Sequence, residues 1–469
     1  MNLRDLTITE AKMGLKEKQF SSVELTRAAL EQIKLNDPKL NAFITVTEKE
    51  ALEQAARADE LLADNVDQPL LGIPVALKDM FVTKGIRTTA ASNVLSDYIP
   101  QYDGTVVKKI KDAGAIVVGK TNCDAWAHGS SGENSDFGPA KNPYNTDYVP
   151  GGSSSGSPIS VATGMSLAAT GTDTGGSIRL PASFCNVVGL KPTYGRVSRY
   201  GIIAMASSLD SIGHFTKTVE DNALFLNVTA GRDPMDATTP PVAVPNYLSN
   251  INKGVKGIKI GVPKEYFIEG LDPKVHKATQ NALDVLKKLG AEIVEISLPN
   301  AKSAIAVYYI IQTAEVSSNL ARYDGIRFGN DRSSFGDEAK RRIMLGTYVL
   351  SAGYYDAYYK KAMQVRTLIK QDFEKVFEKV DVLLSPASPT PPWKIGEKTA
   401  DPLKMYLSDI FTVTANIAGI PGLSVPAEFV NGLPTGIQIL GPHFSEEKLY
   451  QVGHAFEKET EFWKTKPNL

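Results

Sequence analysis

The sequence predicts an α/β fold with a large mixed, mostly parallel central sheet that helices cover on both faces. Helical segments alternate with short β-branched runs in residues 110–118 and 286–296, where a glycine closes each helix before the strand begins. This alternation is typical of a parallel or mixed sheet packed against helices. With 469 residues, 42% of them hydrophobic, the chain is also long enough to bury a large core.

The elements follow from local patterns along the chain. Residues 1–65 have helical periodicity, and Ser21 with Glu24 forms a capping-box pattern at the start of one helix. Residues 70–77 (LLGIPVAL) are a short apolar run that predicts a buried strand ending at Lys78. Further strands are predicted over 187–190, 258–262, 381–384 and 436–440, and helices over most of 303–379 and from Ser445 onward.

No internal repeat or low-complexity linker divides the chain, so we expect a single domain over residues 1–469. Within it we distinguish three parts. A helical segment covers 1–65, the catalytic core covers 66–230, and the rest of the sheet with its helical cover spans 231–469.

Composition and charge exclude several classes of protein. The 51 basic residues nearly balance the 52 acidic ones, so the chain lacks the broad positive field that strong, direct binding of nucleic acid requires. Its two cysteines, Cys123 and Cys185, do not suggest a disulfide framework or a zinc site. The N-terminus has no signal-peptide core, and no apolar run is long enough to span a bilayer. We expect a cytoplasmic protein without a metal site or membrane contact.

Two clusters rich in glycine and serine lie close together, at 150–157 (PGGSSSGS) and 171–179 (GTDTGGSIR). A pair of flexible loops is the alternative interpretation, but apolar segments flank both clusters tightly, which is unusual for a linker. Neither cluster has the lysine of a P-loop or the spacing of a dinucleotide site, and the nucleophile elbow of α/β-hydrolases is missing. A nucleophilic serine, Ser177, is the hypothesis that remains.

A serine nucleophile requires a base. The five histidines are scattered, form no metal-ligand pair, and are interpreted mostly as surface or hydrogen-bonded residues: His128, His214, His276, His443 and His454. A lysine serves as the base only if its pKa is lowered enough for the neutral amine to exist. Lys78, at the end of a predicted core strand, is the candidate. The alternative is a lysine that snorkels at the strand end or pairs with Asp79. A third hydroxyl would carry the proton between Lys78 and Ser177.

Lys78 and the two clusters, in this order and spacing, resemble the motifs of the amidase signature family. The resemblance implies a catalytic triad of a strand-end lysine, a serine held through a cis peptide bond and a nucleophilic serine. These roles fall on Lys78, Ser153 and Ser177. The implied reaction is acyl transfer, in which Ser177 attacks an amide carbon and Ser153 relays its proton to neutral Lys78.

The resemblance also places an oxyanion hole at the turn before the nucleophile. Backbone N–H groups around Thr174, Gly175, Gly176 and Ser177 would hold the developing negative charge. Glycines suit this turn because the backbone approaches closely where no Cβ is present. Nearby, Ser155 replaces a glycine of the family pattern, which would strain the loop if this position needed a positive φ.

Further segments resemble one branch of that family, the glutaminase chains of glutamyl- and aspartyl-tRNA amidotransferases. They are residues 129–135 (GSSGENS), 188–201 (VGLKPTYGRVSRYG), 206–210 (ASSLD), 317–325 (SSNLARYDG) and 340–347 (KRRIMLGT). The resemblance implies a glutaminase without a cofactor of its own, in a heterotrimer with B and C subunits. The B subunit would use ATP and Mg²⁺, contact the tRNA, and amidate the glutamate or aspartate that the tRNA carries.

Glutamine carries both charges at its α-carbon, so a selective site needs a cationic and an anionic partner. By resemblance, Arg342 binds the carboxylate, Asp409 binds the ammonium group, and Tyr308 is a weaker match to a third substrate-binding residue. For each charged residue taken singly, the alternative interpretation is a solvated charge on a helix surface. Two alternative functions stay open: a free-standing amidase for neutral or aromatic amides, and a binding subunit that has lost catalysis.

Overall fold

The computed structural model describes residues 3–267, 270–326 and 329–469. An eleven-stranded sheet forms its centre. In chain order the strands are β1 Phe43–Val46, β2 Pro74–Lys78, β3 Ile116–Thr121, β4 Ala168–Asp173, β5 Val188–Lys191, β6 Ser211–Thr216, β7 Lys259–Pro263, β8 Glu292–Ile296, β9 Val382–Pro386, β10 Gly422–Pro426 and β11 Gly436–Leu440. Their order across the sheet is β1-β3-β2-β4-β6-β5-β10-β11-β9-β7-β8.

Fourteen α-helices surround the sheet in the described part of the chain. In chain order, α1 to α14 are Ile8–Lys16, Ser22–Leu40, Glu48–Ala63, Thr105–Asp112, Gly156–Ala162, Arg179–Phe184, Val219–Thr229, Pro273–Lys288, Ala304–Asn319, Asp337–Val349, Lys361–Phe377, Pro402–Tyr406, Val413–Ala418 and Glu446–Thr460. The capping box that begins α2 is present, with Ser21 and Glu24 each accepting a backbone N–H of the other. None of the described helices combines the length and the apolar character needed to cross a membrane.

The sheet is mixed, as predicted, but the prediction of a mostly parallel sheet is wrong. Six of the strand pairings are antiparallel, and four are parallel. The two helix-to-strand junctions seen in the sequence lead into β3 and β8, and both strands do pair in parallel with a neighbour. Elsewhere, strands such as β10 and β11 follow each other through a short connection, which brings them together antiparallel.

Helices cover both faces of the sheet, as predicted. Val75 and Leu77 of β2 belong to one apolar cluster, whereas Ala76 between them belongs to another. Since side chains alternate along a strand, the two clusters lie on opposite faces. Helices α3 and α5 contribute to the cluster of Ala76, and α7 and α14 contribute to the other.

The topology brings the two sequence clusters to one edge of the sheet. Strands β2 and β4 are parallel neighbours, so their carboxyl ends, Lys78 and Asp173, point in the same direction. Ser177 lies in the short turn between β4 and α6. The second cluster therefore lies next to the end of the Lys78 strand.

Candidate active site

The Lys78 side chain is completely buried, and its ammonium nitrogen is surrounded by hydroxyl groups. Nζ lies 2.8 Å from Ser153 Oγ, 3.0 Å from Ser154 Oγ and 2.8 Å from Thr172 Oγ1. Burial lowers the pKa of Lys78 to about 8, although nearby acidic groups oppose the shift. A useful fraction of Lys78 is therefore the neutral amine near neutral pH, as a general base requires.

The alternative in which Lys78 pairs with Asp79 is wrong. Asp79 forms a buried ion pair with Lys120, with 3.2 Å between Oδ1 and Nζ. Its other oxygen accepts hydrogen bonds from the backbone and hydroxyl of Thr89. These partners hold Asp79 away from Lys78 and leave the Lys78 amine to the serine hydroxyls.

Backbone hydrogen bonds hold the Ser153 loop in place. The Gly152–Ser153 peptide bond is cis. The N–H of Asp124 donates to Ser153 O at 3.0 Å, and the N–H of Gly152 donates to Ser130 O at 2.9 Å. Ser155 adopts right-handed helical angles, with φ −69°, so the replacement of the family glycine causes no backbone strain here.

The turn that carries Ser177 is organised by the Asp173 carboxylate. It accepts the backbone N–H of Gly176 at 2.8 Å and of Ile178 at 3.2 Å. Arg179 donates Nε and Nη2 to the same carboxylate at 3.1 and 3.0 Å, and both side chains are fully buried. Burial alone would raise the pKa of Asp173, but the Arg179 charge and these hydrogen bonds keep it below the usual value.

Arg179 is held in turn by residues far away in the sequence. Its Nη2 donates to Asn416 Oδ1 at 2.7 Å, and its Nη1 donates to Gln438 Oε1 at 3.0 Å. Asn416 also donates to Asp173 Oδ1 at 2.9 Å. The turn thus rests on a buried, satisfied polar network, which favours a single rigid arrangement of its atoms.

Ser177 lies next to Ser154, which also bonds Lys78, and 8% of the Ser177 surface is exposed. Its carbonyl oxygen accepts a hydrogen bond from Ser154 N–H at 3.3 Å. Within the described ranges, no hydrogen bond occupies the Ser177 hydroxyl. The structure therefore joins Lys78 to Ser153 directly and places Ser177 against the next residue, with its Oγ unpaired.

The predicted oxyanion hole retains three available donors. In the part of the chain that the structure describes, the N–H groups of Thr174, Gly175 and Ser177 make no hydrogen bond. Gly176 differs from the prediction, because its N–H already donates to Asp173. Its role is conformational: φ is +143°, and a Cβ there would collide with Thr412 Oγ1.

The other side of the turn is also fixed. Thr174 donates its hydroxyl to Asp210 Oδ1 at 2.7 Å. Thr412 Oγ1 lies 2.6 Å from Gly175 O and 3.0 Å from Asp409 O. Asp409, predicted as a substrate-binding residue, is therefore linked to the turn through one hydroxyl group.

A cavity of about 300 Å³ includes one predicted substrate-binding residue, Arg342, in its wall. Nε of Arg342 donates to Glu338 Oε1 at 2.8 Å, and Nη1 donates to Gln312 Oε1 at 3.1 Å. The guanidinium also lies over the rings of Tyr309 and Tyr406. Arg342 is therefore a buried, oriented cation rather than a solvated helix charge.

Asp409 and Tyr308 connect this cavity to the turn. Asp409 is buried and accepts the hydroxyl of Ser130, a cavity-lining residue, at 2.7 Å. Burial raises the pKa of Asp409 to about 7. Tyr308 packs against Gly175, where a Cβ would lie 2.7 Å from the phenol oxygen. Among the described residues, Ser177 does not line the cavity. The turn is connected to the cavity only indirectly, through Asp409 and Tyr308.

His128 is an exception to the interpretation that most of the histidines are surface or hydrogen-bonded residues. His128 lines the same cavity, is fully buried, and has no hydrogen-bond partner at either ring nitrogen. By contrast, His214 is buried but bonds Thr229 Oγ1 through Nε2 at 2.7 Å.

Comparison with known proteins identifies the family of this chain. The model of the amidase family matches residues 24–450. The chain belongs to the amidase family. It is 58% identical to the A subunit of the glutamyl-tRNA(Gln) amidotransferase of Geobacter metallireducens, over 98% of both chains. It is 54% identical to the corresponding protein of Carboxydothermus hydrogenoformans, over the full length of both. The crystal structure of the Thermotoga maritima counterpart has 44% identity and a TM-score of 0.86, and the match covers 100% of this chain and 98% of the other.

Several residues that support the site of this amidase were not found from the sequence. Ser154 and Thr172 complete the hydroxyl shell of Lys78, and Asp210 and Thr412 fix the turn. Thr172 had a signal, because it lies inside the 171–179 cluster. Ser154 had the same signal in the 150–157 cluster, and Asp210 lies in the 206–210 segment that resembles the family. Thr412 carries no local pattern that assigns it a role. Among the described residues, no group of three or more His, Cys, Asp or Glu side chains is arranged to hold a metal ion.

Proposed function

We propose that this amidase is the glutaminase subunit of a glutamine-dependent aminoacyl-tRNA amidotransferase. The observation that carries the proposal is the buried Lys78 amine, which is bonded to Ser153 Oγ and to Ser154 Oγ, the neighbour whose backbone N–H donates to Ser177 O. This arrangement suits nucleophilic attack on an amide with a lysine as the final proton acceptor. The names of the two similar proteins from Geobacter and Carboxydothermus support the assignment to tRNA-dependent amidation.

The first half of the reaction forms an acyl-enzyme. Ser177 Oγ attacks the side-chain amide carbon of glutamine, while its proton passes to Ser153 Oγ and the Ser153 proton passes to neutral Lys78 Nζ. The carbonyl oxygen becomes an oxyanion that the N–H groups of Thr174, Gly175 and Ser177 stabilise. The same path returns a proton to the nitrogen, and the C–N bond breaks to release ammonia.

The second half releases the product and restores the enzyme. Water attacks the γ-glutamyl ester of Ser177, with its proton accepted through Ser153 and Lys78. Glutamate then leaves, and Ser177 recovers its hydroxyl hydrogen. One glutamine and one water give one glutamate and one ammonia.

Selectivity for glutamine is supported by the two opposite charges near the cavity. Arg342 is a buried cation with N–H groups beyond the two that Glu338 and Gln312 use. Asp409 lies on the other side of Ser130 and supplies the carboxylate. A site for neutral amides would have no reason to bury both charges.

The partners belong to the same proposal. Ammonia would pass to a B subunit that uses ATP and Mg²⁺ to amidate glutamate on tRNA(Gln), aspartate on tRNA(Asn), or both. The B subunit would make most of the tRNA contacts, and a C subunit would complete a cytoplasmic heterotrimer. In this proposal the chain needs no cofactor for its own step, because its nucleophile, base and oxyanion donors are all protein groups.

The test is to co-express the chain with its B and C subunits and to measure both glutamine hydrolysis and amidation of Glu-tRNA(Gln) and Asp-tRNA(Asn). Ser177→Ala should abolish both activities that depend on glutamine, but free ammonia should still support amidation. Ser318→Ala, on the exposed side of α9, is the matched control and should keep full activity. Glutamine hydrolysis by the Ser177 variant would contradict the triad. Hydrolysis of aromatic amides without that of glutamine would favour a free-standing amidase.

A further inference from the structure

His128 is a buried polar side chain whose hydrogen-bonding groups have no partner among the described residues. It has no exposed surface, and neither Nδ1 nor Nε2 makes a hydrogen bond. Its backbone is fixed, because the N–H donates to Ala125 O at 2.9 Å and the carbonyl accepts Asn134 Nδ2 at 2.7 Å. The ring therefore holds a defined position in the wall of the cavity that also contains Arg342.

The ring is neutral at physiological pH. Burial lowers the pKa of His128 well below its usual value, and the nearby charge of Arg342 lowers it further. A neutral imidazole has one N–H donor and one acceptor nitrogen. A buried donor without an acceptor is costly, so such a group in a cavity wall indicates an acceptor that arrives with the ligand.

The surroundings of His128 favour an anionic acceptor. Gln312 uses its Oε1 to accept from Arg342, while its own Nε2 is buried without a partner in the described part of the chain. Arg342 uses two of its five N–H bonds on Glu338 and Gln312. Unmatched donors thus collect around the guanidinium, and a carboxylate, which only accepts hydrogen bonds, would satisfy them.

We propose that His128 binds the α-carboxylate of glutamine by donating its ring N–H, together with Arg342. The inference rests on the proposed function and adds a substrate-binding residue to it. Because Glu338 already balances the charge of Arg342, a neutral donor strengthens carboxylate binding without adding another buried charge. Ser130, two residues further along the same loop, holds Asp409, so one loop would orient both ends of the amino-acid head group.

The test compares two substitutions and two substrates in the assembled enzyme. His128→Met keeps the volume but removes the donor, whereas His128→Gln keeps an N–H donor. The substrates are glutamine and 4-aminobutanamide, which has the amine and the amide but lacks the α-carboxylate. His128→Met should raise KM for glutamine by about 10- to 100-fold, the range for a hydrogen bond to a charged group, with a smaller change in kcat.

Two further results are expected. His128→Met should leave kcat/KM for 4-aminobutanamide within about twofold of the unsubstituted enzyme, and His128→Gln should recover most of the affinity for glutamine. Equal losses on both substrates, or no loss on either, would overturn the assignment. If the unsubstituted complex does not hydrolyse glutamine, the proposed function itself fails. If it does and His128→Met keeps a normal KM, only the role of His128 fails.

Discussion

Nζ of Lys78 and Oγ of Ser153 are 2.8 Å apart, and neither residue has exposed surface. The hydrogen-bond partners of Nζ in the described chain are all hydroxyl groups. The charged form of Lys78 therefore has no carboxylate in direct contact to stabilise it, and its proton affinity reflects burial. In the proposed mechanism, the protonation state of this one amine is the main control on the reaction.

The first prediction concerns pH. The pKa of Lys78 is lowered to about 8, and only the neutral amine accepts a proton, so kcat/KM for glutamine should rise with pH and level off above about 8. Lys78→Arg, which stays charged, should lose activity at every pH by at least about 10³-fold. Steady-state rates between about pH 6 and 9.5 test this. A profile that is flat below the pKa of Lys78 would contradict its assignment as the base.

The second prediction concerns substrate binding at low pH. Burial raises the pKa of Asp409 to about 7, and only the ionised carboxylate attracts the α-ammonium group, so KM for glutamine should increase as the pH falls below about 7. Asp409→Asn should have a high KM that no longer varies in this range. Glutaramate, which lacks the α-ammonium group, is the control substrate. A pH-dependent KM that persists in Asp409→Asn would assign the effect to another group.

The third prediction concerns stability. Arg179→Met leaves the Asp173 carboxylate buried without its ion-pair partner, which should lower the free energy of unfolding by about 3–5 kcal/mol. Urea denaturation followed by tryptophan fluorescence measures the change. Lys108→Met breaks an exposed pair with Asp112 and should have no measurable effect. Similar stability for the two variants would mean that the network does not support the fold.

The fourth prediction concerns the nucleophile turn. Gly176→Ala introduces a Cβ at a positive φ and against Thr412 Oγ1, so it should distort the oxyanion donors and reduce kcat by about 10²-fold or more. Gly257 also has a positive φ, of +78°, but a Cβ there meets no atom within 4 Å. Gly257→Ala should cost only about 1 kcal/mol of stability and keep normal kinetics. If both variants retain wild-type kcat, the close approach of Thr412 is not needed for catalysis.

Local patterns predicted the elements whose residues have the periodicity or β-propensity typical of a helix or a strand. Strands β7, β9 and β11 and the helices after residue 303 lie close to their predicted positions. Strand β4, with the sequence AATGTD, was missed because tertiary packing, and not strand propensity, requires its small residues. A Cβ at Gly171 would lie 2.6 Å from the Phe215 ring on the neighbouring strand. No local signal contains that constraint.

In the site as well, local motifs could be predicted and long-range contacts could not. The glycine- and serine-rich clusters locate Ser153 and Ser177, and an apolar run locates Lys78, because those residues lie in or beside compact motifs. Asn416 lies 237 positions from Arg179 and Gln438 lies 259 positions away, so their roles depend on contacts that only the folded chain shows. The buried, unpartnered ring of His128 could not be predicted for a related reason, since burial without a hydrogen-bond partner leaves no mark in the sequence.

The Arg179 network has a consequence for biosynthesis. The ribosome synthesises Lys78, Ser153 and Ser177 well before Asn416 and Gln438 emerge. Until then Arg179 lacks two of its acceptors, and β5 lacks the neighbouring strand β10. A nascent chain that ends before Asn416 therefore contains every reacting group but not the buried contacts that hold the nucleophile turn.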